Sequence, residues 1–132
     1  MAYGEGGDRF AGATYDPTSH YRGAGVFQFF EEQRLTASFL REVSQHQIGL
    51  LASTFDGLDL DPKVVTRDRS APLSELGGFL ALRSPKAGAL QVALELEGVL
   101  TDSRGEVLRF GPAPYLSDQQ LIDAITRLNE IG

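Results

Sequence analysis

Cysteine and tryptophan are absent from the 132-residue chain, which has a single methionine and only two lysines, Lys63 and Lys86. Without cysteine, neither a disulfide framework nor a thiolate metal site can form. The net charge of −6 argues against sequence-independent binding to nucleic acid or to an anionic membrane, because both depend on clustered Lys and Arg. Apolar runs of membrane-spanning or secretory-signal type are also lacking. These features predict a soluble, cytoplasmic protein.

The composition is that of a globular chain, with 42% hydrophobic and 23% charged residues. A chain of this length is able to bury one hydrophobic core. Residues 1–18 are rich in Gly, Thr, Asp and Pro without any periodicity, and they are predicted to form an irregular arm. Residues 19–132 are predicted to form a single small domain.

Four helices and four strands are predicted from apolar spacing, capping residues and turn residues. In chain order they are helices at 19–33 and 36–57, strands at 61–67 and 77–84, a helix between caps at Ser84 and Gly98, hairpin strands at 99–101 and 107–110 around a turn at 102–105, and a helix capped by Ser117. This order, α-α-β-β-α-β-β-α, predicts an α+β fold with a small, largely antiparallel sheet and helices on one face.

Arg109 is the candidate functional residue that the local pattern singles out. Strand alternation puts Leu108 and Phe110 on one face and Arg109 on the other, just before a Gly-Pro bend. A guanidinium binds a carboxylate through two parallel N–H groups, so Arg109 could hold a ligand carboxylate. The alternative is an edge-strand arginine that only pairs with Asp102 or Glu106.

Other chemistry is poorly supported by the sequence. The glycine-rich opening lacks the Gly-Lys-Ser/Thr ending of a phosphate-binding loop. His20 and His46 have no second ligand at metal-binding spacing, and no serine lies in a nucleophile elbow.

The segment "GVLTDSRGEVLRFGPAPYLSDQQL", residues 98–121, resembles the C-terminal part of fold-type I pyridoxal-phosphate enzymes of the class V aminotransferase and kynureninase-like group. Those enzymes carry Gly-Val, then Asp-x-Arg, then Leu/Ile-Arg and a proline-containing bend before their last helix. The resemblance implies that Arg109 binds the α-carboxylate of an amino-acid substrate.

The resemblance extends upstream through "GGFLALRSPKAGALQVALELEGV" and "FAGATYDPTSHYRGAGVFQFFEEQRL". The latter is similar to the segment that enters the long connecting helix of such enzymes. It implies that Thr14 contacts the cofactor phosphate of the neighbouring subunit, although Ala13 stands where the family has glycine. The match covers nearly all of this chain but only the C-terminal third of such an enzyme.

The resemblance therefore implies the small domain of an enzyme that uses pyridoxal phosphate, acts on amino acids and forms a homodimer. Neither Lys63 nor Lys86 has the sequence context of the lysine that holds the cofactor, so the large cofactor-binding domain is expected to be missing and the chain alone to be inactive. Transamination and kynureninase-like hydrolytic cleavage both stay open. The alternative is a stand-alone, non-catalytic module for binding or assembly.

Overall fold

A computed structural model describes residues 5–6, 16–58 and 60–131. The chain forms two compact units, Met1–Ala37 and Ser38–Gly132. Thr14 and most of the predicted arm lie outside the described residues.

The first unit contains helix α1, Thr18–Glu32. None of its residues is buried, and the side chains of Tyr21 and Phe27 are 76% and 70% exposed. The helix ends where Arg34 takes a left-handed φ of 55° and the Leu35 amide donates to the Phe30 carbonyl at 2.8 Å. This bond satisfies one of the carbonyls that the last turn of a helix leaves without an intrahelical partner.

The second unit has the predicted α+β architecture. Its elements follow one another as helix α2, Ala37–Asp56, strand β1, Thr66–Arg67, strand β2, Leu80–Arg83, helix α3, Ala87–Leu96, strand β3, Asp102–Arg104, strand β4, Val107–Phe110, and helix α4, Asp118–Ile131. A single 3₁₀ turn, Leu73–Glu75, lies between β1 and β2. With α1, the element order is the predicted α-α-β-β-α-β-β-α.

The strands form one antiparallel sheet in the order β1-β2-β4-β3. The predicted central position of β2 is confirmed. Strand β4 is also internal, because β2 and β3 pair with its two edges. The interpretation of Arg109 as an edge-strand residue is therefore wrong.

The core lies between one face of the sheet and the three helices of the second unit. Leu80 pairs with Phe110 and Leu82 with Leu108, and these four side chains are buried on that face. Ile48 and Leu51 of α2 belong to the same buried cluster, to which α3 and α4 each add an apolar stripe: Ala87, Leu90, Leu94, Leu121, Ile125 and Leu128. Helices pack on this face because alternation concentrates the apolar side chains there.

The predicted hairpin exists, but its first strand begins later than expected. Residues 99–101 are not a strand, and residues 102–105 are not the turn. The Val99 amide still donates to the Leu94 carbonyl at 2.8 Å, which closes α3 behind Gly98 with a φ of 80°. This amide belongs to the end of the helix and not to a strand, and strand pairing starts at Asp102.

The hairpin turn itself consists of two residues, Gly105 and Glu106. Arg104 pairs with Val107 across it, and Gly105 has a φ of 56°. A two-residue hairpin turn requires positive φ, which glycine adopts without strain. The glycine at the end of the predicted turn is therefore the first residue of the actual one.

Two predicted helix starts have different outcomes. Ser117 is confirmed as the cap of α4: its amide donates to Gln120 Oε1 at 2.9 Å, and its Oγ accepts from the Gln120 amide at 3.4 Å. Ser84 does not cap α3 directly. Its Oγ accepts from the Lys86 amide at 3.0 Å, and the helix begins at the next residue, Ala87. That bond makes a tight turn of residues 84–86 instead.

An ion-pair cluster ties the end of α2 to the sheet. The Asp56 carboxylate accepts from Arg67 Nε at 2.8 Å and from Arg69 Nη2 at 2.6 Å. The hydrogen bond from Arg67 is the main reason why the pKa of Asp56 lies below its ordinary value, opposed by partial burial and assisted by Arg69. The sequence pattern had no signal for this pairing.

We predict that Asp56→Asn lowers the free energy of unfolding at pH 7 by about 1–2 kcal/mol, since charge-assisted hydrogen bonds are lost at a carboxylate that is one-third exposed. A depressed native pKa means that the unfolded chain binds more protons, so this stabilisation is present above about pH 4 and is lost as pH falls through the native pKa. Urea unfolding at several pH values measures it. Glu95→Gln, at an exposed position of α3, is the control, and a wild-type-to-D56N difference that does not shrink as the pH falls below about 4 would contradict the assignment.

Candidate carboxylate-binding site

Arg109 lies on the face of the sheet opposite the helices. Its register partners are Ala81 on β2 and Asp102 on β3, so these three residues form one cross-strand row. The predicted alternation is confirmed, since Leu108 and Phe110 point into the core while Arg109 does not. The position of the guanidinium is thus set by two strand pairings and by the buried neighbours on each side.

A cavity of about 320 Å³ surrounds the Arg109 side chain. Arg109 Cζ lies 5.2 Å from the centroid of the Phe79 ring, within the range of a cation–π interaction. The cavity is lined by residues from three segments that the hairpin and β2 bring together: Gly78, Phe79, Leu100, Thr101, Asp102, Arg109 and Gly111. A planar cation, an aromatic ring and a depression of this size suit a small carboxylate ligand.

The carboxylate of Asp102 forms an ion pair with Arg109. One oxygen, Oδ2, contacts one nitrogen, Nη2, and the side chains are 54% and 22% exposed, respectively. Of the two partners that the alternative interpretation considered, Asp102 is the observed one. Asp102 was also predicted to be a turn residue; its place in β3 is what puts it directly opposite Arg109.

Thr101 contributes a buried hydroxyl to this region. Its Oγ1 has no hydrogen-bond partner within the part of the chain that the structure describes. A buried hydroxyl without a partner destabilises a fold by about 1–3 kcal/mol. The residue before Asp102 is therefore a place where the domain is less stable than it could be.

The bend after Arg109 is held from α2. Gln47 is 3% exposed, and its Nε2 donates to the Ala113 carbonyl at 2.9 Å and to the Leu116 carbonyl at 3.4 Å. One residue earlier, His46 Nε2 lies 2.8 Å from Asp118 Oδ1 at the start of α4. The predicted structural role of His46 agrees with this contact, and the Gln47 amide fixes the proline-containing bend that borders the cavity.

A larger, mainly apolar groove of about 530 Å³ adjoins the Arg109 cavity. The two depressions share Leu100 and Gly111 in their walls. The groove runs between the bend and α4, where Tyr115 is exposed and the Arg127 guanidinium donates to the Glu97 carbonyl. The Arg109 cavity and the groove thus adjoin each other at Leu100 and Gly111.

The lysines do not contribute to either depression. Lys63 is exposed in a turn, where its amide donates to Asp61 Oδ1 at 2.9 Å, and Lys86 is exposed before α3. Neither residue lines the Arg109 cavity or the adjoining groove. Neither depression therefore offers a lysine that could hold pyridoxal phosphate, and Thr14, implied as a phosphate contact, lies outside the described residues.

Sequence reasoning identified Arg109 and named Asp102 as one of its two possible partners, but it missed Phe79 and Thr101 as neighbours. Phe79 follows two glycines before a strand, a pattern with no chemical signal. Thr101 was assigned to a strand that does not form. For Asp102, the odd spacing to Arg109 across a two-residue turn would have placed both on one face, had the turn been located at Gly105.

Comparisons of the chain with protein-family models, with curated proteins and with solved structures find no match. Across residues 16–58 and 60–131, the helices are too short or too polar to cross a bilayer. The same described residues contain no group of three or more His, Cys, Asp or Glu side chains that could hold a metal ion.

We predict that Thr101→Val raises the free energy of unfolding by about 1 kcal/mol, because valine has nearly the same shape without the buried hydroxyl. Urea denaturation of both proteins measures the change. Thr101→Ser, which keeps the hydroxyl, is the matched control and should not stabilise the domain. Destabilisation by valine would show that the Thr101 hydroxyl has a partner in solution.

Proposed function

We propose that the chain is the C-terminal small domain of a pyridoxal-phosphate-dependent enzyme that acts on amino acids, of the class V aminotransferase or kynureninase-like type. In this proposal Arg109 holds the α-carboxylate of the substrate. The observation that carries it is the position of Arg109: on an internal strand, over the Phe79 ring, in the wall of a cavity. A cytoplasmic location belongs to the same proposal.

The architecture supports the proposal at the level of the fold. A small antiparallel sheet with helices on one face leaves its second face for another part of a protein to approach. Arg109 projects from that second face. A residue that contacts a ligand held by another domain has to lie on such a face. Such a domain orients the substrate, while the cofactor provides the electronic chemistry when it is bound.

In this proposal the cofactor is held elsewhere; the position of the two lysines, neither of which lines the Arg109 cavity, supports this. We assign the Schiff-base lysine to a large domain that this chain does not contain. The contribution of the chain is then limited to binding and orientation of the carboxylate end of the substrate. The choice between transamination and hydrolytic cleavage depends on the large domain.

Helix α1 supports the need for a further polypeptide. This 15-residue helix has no buried residue, and several of its aromatic side chains are exposed. Exposed apolar patches of this kind mark interaction sites. In the proposed enzyme, the large domain and the second subunit of a homodimer cover α1; the same feature would suit the alternative of a stand-alone assembly module.

We predict that Arg109→Lys weakens carboxylate binding by at least about tenfold, because lysine offers a point charge in place of two parallel donors. The ¹⁵N-labelled chain is titrated with L-alanine, with propionate and with ethylamine, and the signals of residues around the cavity are followed. The two carboxylates should bind and ethylamine should not. Equal binding of all three compounds, or unchanged carboxylate binding in R109K, would refute the proposed role of Arg109.

We also predict that incubation of the isolated chain with pyridoxal phosphate yields no stoichiometric Schiff base. The reason is the exposed, solvated setting of both lysines. Borohydride trapping followed by peptide mass analysis measures the modified fraction at Lys63 and Lys86. A single, fully modified lysine would contradict the assignment of the cofactor lysine to another domain.

A further inference from the structure

The ion pair between Asp102 and Arg109 occupies the group to which a ligand carboxylate would bind. Asp102 Oδ2 contacts Nη2 of the guanidinium. This nitrogen takes part in both of the two-nitrogen edges with which a guanidinium grips a carboxylate. Nη2 has two hydrogens, one on each of these edges, so Asp102 takes one of them and places its negative charge beside the other, where it repels an incoming carboxylate.

We propose that Asp102 is an internal competitor for the Arg109 site, because its charge at Nη2 opposes the binding of a ligand carboxylate to the same guanidinium. This inference rests on the proposed function of Arg109 and names the residue that sets the affinity of that site. Asp102 keeps the guanidinium paired when no ligand is bound. It thereby selects for ligands whose carboxylate forms the stronger, two-donor interaction.

The two partners differ in how firmly they are held. Arg109 lies on an internal strand, is 22% exposed and rests against the Phe79 ring. Asp102 lies on the edge strand β3 and is 54% exposed, so its side chain can turn into water at little cost. The aspartate is consequently the side chain that moves, while the arginine stays in place.

A second cation is available to the displaced aspartate. Arg104 Nε lies 3.9 Å from Asp102 Oδ2, on the same strand and the same face of the sheet. Its side chain is largely exposed, so the pair with Arg104 is weak but present. Asp102 thus lies between two arginines, and rotation toward Arg104 releases Nη2 of Arg109 without leaving the carboxylate far from positive charge.

The test is Asp102→Asn, which removes the competing charge and preserves the shape. Propionate and L-alanine are titrated into the ¹⁵N-labelled 132-residue chain at fixed ionic strength. D102N should bind both about fivefold more tightly than wild type, a factor that corresponds to the removal of one partly exposed ion pair. Glu106→Gln removes the same charge from the same hairpin outside the cavity and should change the affinity by less than about twofold.

Each outcome decides the inference. Unchanged or weaker binding by D102N would overturn it, and weaker binding would make Asp102 a positioning residue for Arg109 instead. Equal tightening in D102N and E106Q would also overturn it, since net charge alone would explain the gain. Asp102→Ser replaces D102N if the asparagine variant does not fold. Carboxylate binding that survives R109K in the same titration would refute the role of Arg109 itself, whatever D102N does.

Discussion

The packing of Leu80 against Phe110 and of Leu82 against Leu108 is the constraint on which the rest of the second unit depends. These two cross-strand pairs fix the register of β2 against β4. A shift of one strand by one residue would turn the buried side chains of that strand toward solvent. The helices α2, α3 and α4 cover this face because it is the apolar one. The same register places Arg109 on the opposite face of the sheet.

The candidate site follows from the position of Arg109 on this second face of the sheet. An arginine between two buried residues has little freedom to change face, and the neighbouring strand then supplies Asp102 as its partner. Phe79, just before β2, places an aromatic ring beside the guanidinium. The apolar strand pairs on the helix-covered face thus determine where the polar groups of the cavity lie. The buried Gln47 amide holds the adjoining bend in place.

Prediction from the sequence succeeded where the signal was local. The capping box at Ser117 and the glycine at the end of α3 are short-range patterns with a single physical meaning, and both are observed. The start of β3 was misplaced because Val99 has strand propensity but its amide is used by the helix end, a competition that a propensity pattern does not contain. Asp102 and Glu106 were both considered as partners of Arg109, and the strand register decides between them. The arginines that pair with Asp56 follow the end of α2 by more than ten residues, and only the folded structure brings them to it.

The two-residue turn at Gly105 and Glu106 has a consequence for how this hairpin tolerates change in length. Asp102 and Arg109 share a face because the turn leaves an equal number of paired residues on either side. An insertion or deletion of one residue within β3 would shift its pairing by one position and carry the carboxylate to the helix-covered face, where a charge has no water. Insertions and deletions in this hairpin are therefore confined to the turn itself or to changes of two residues within a strand. The loop between β1 and β2 can change length by an odd or an even number of residues.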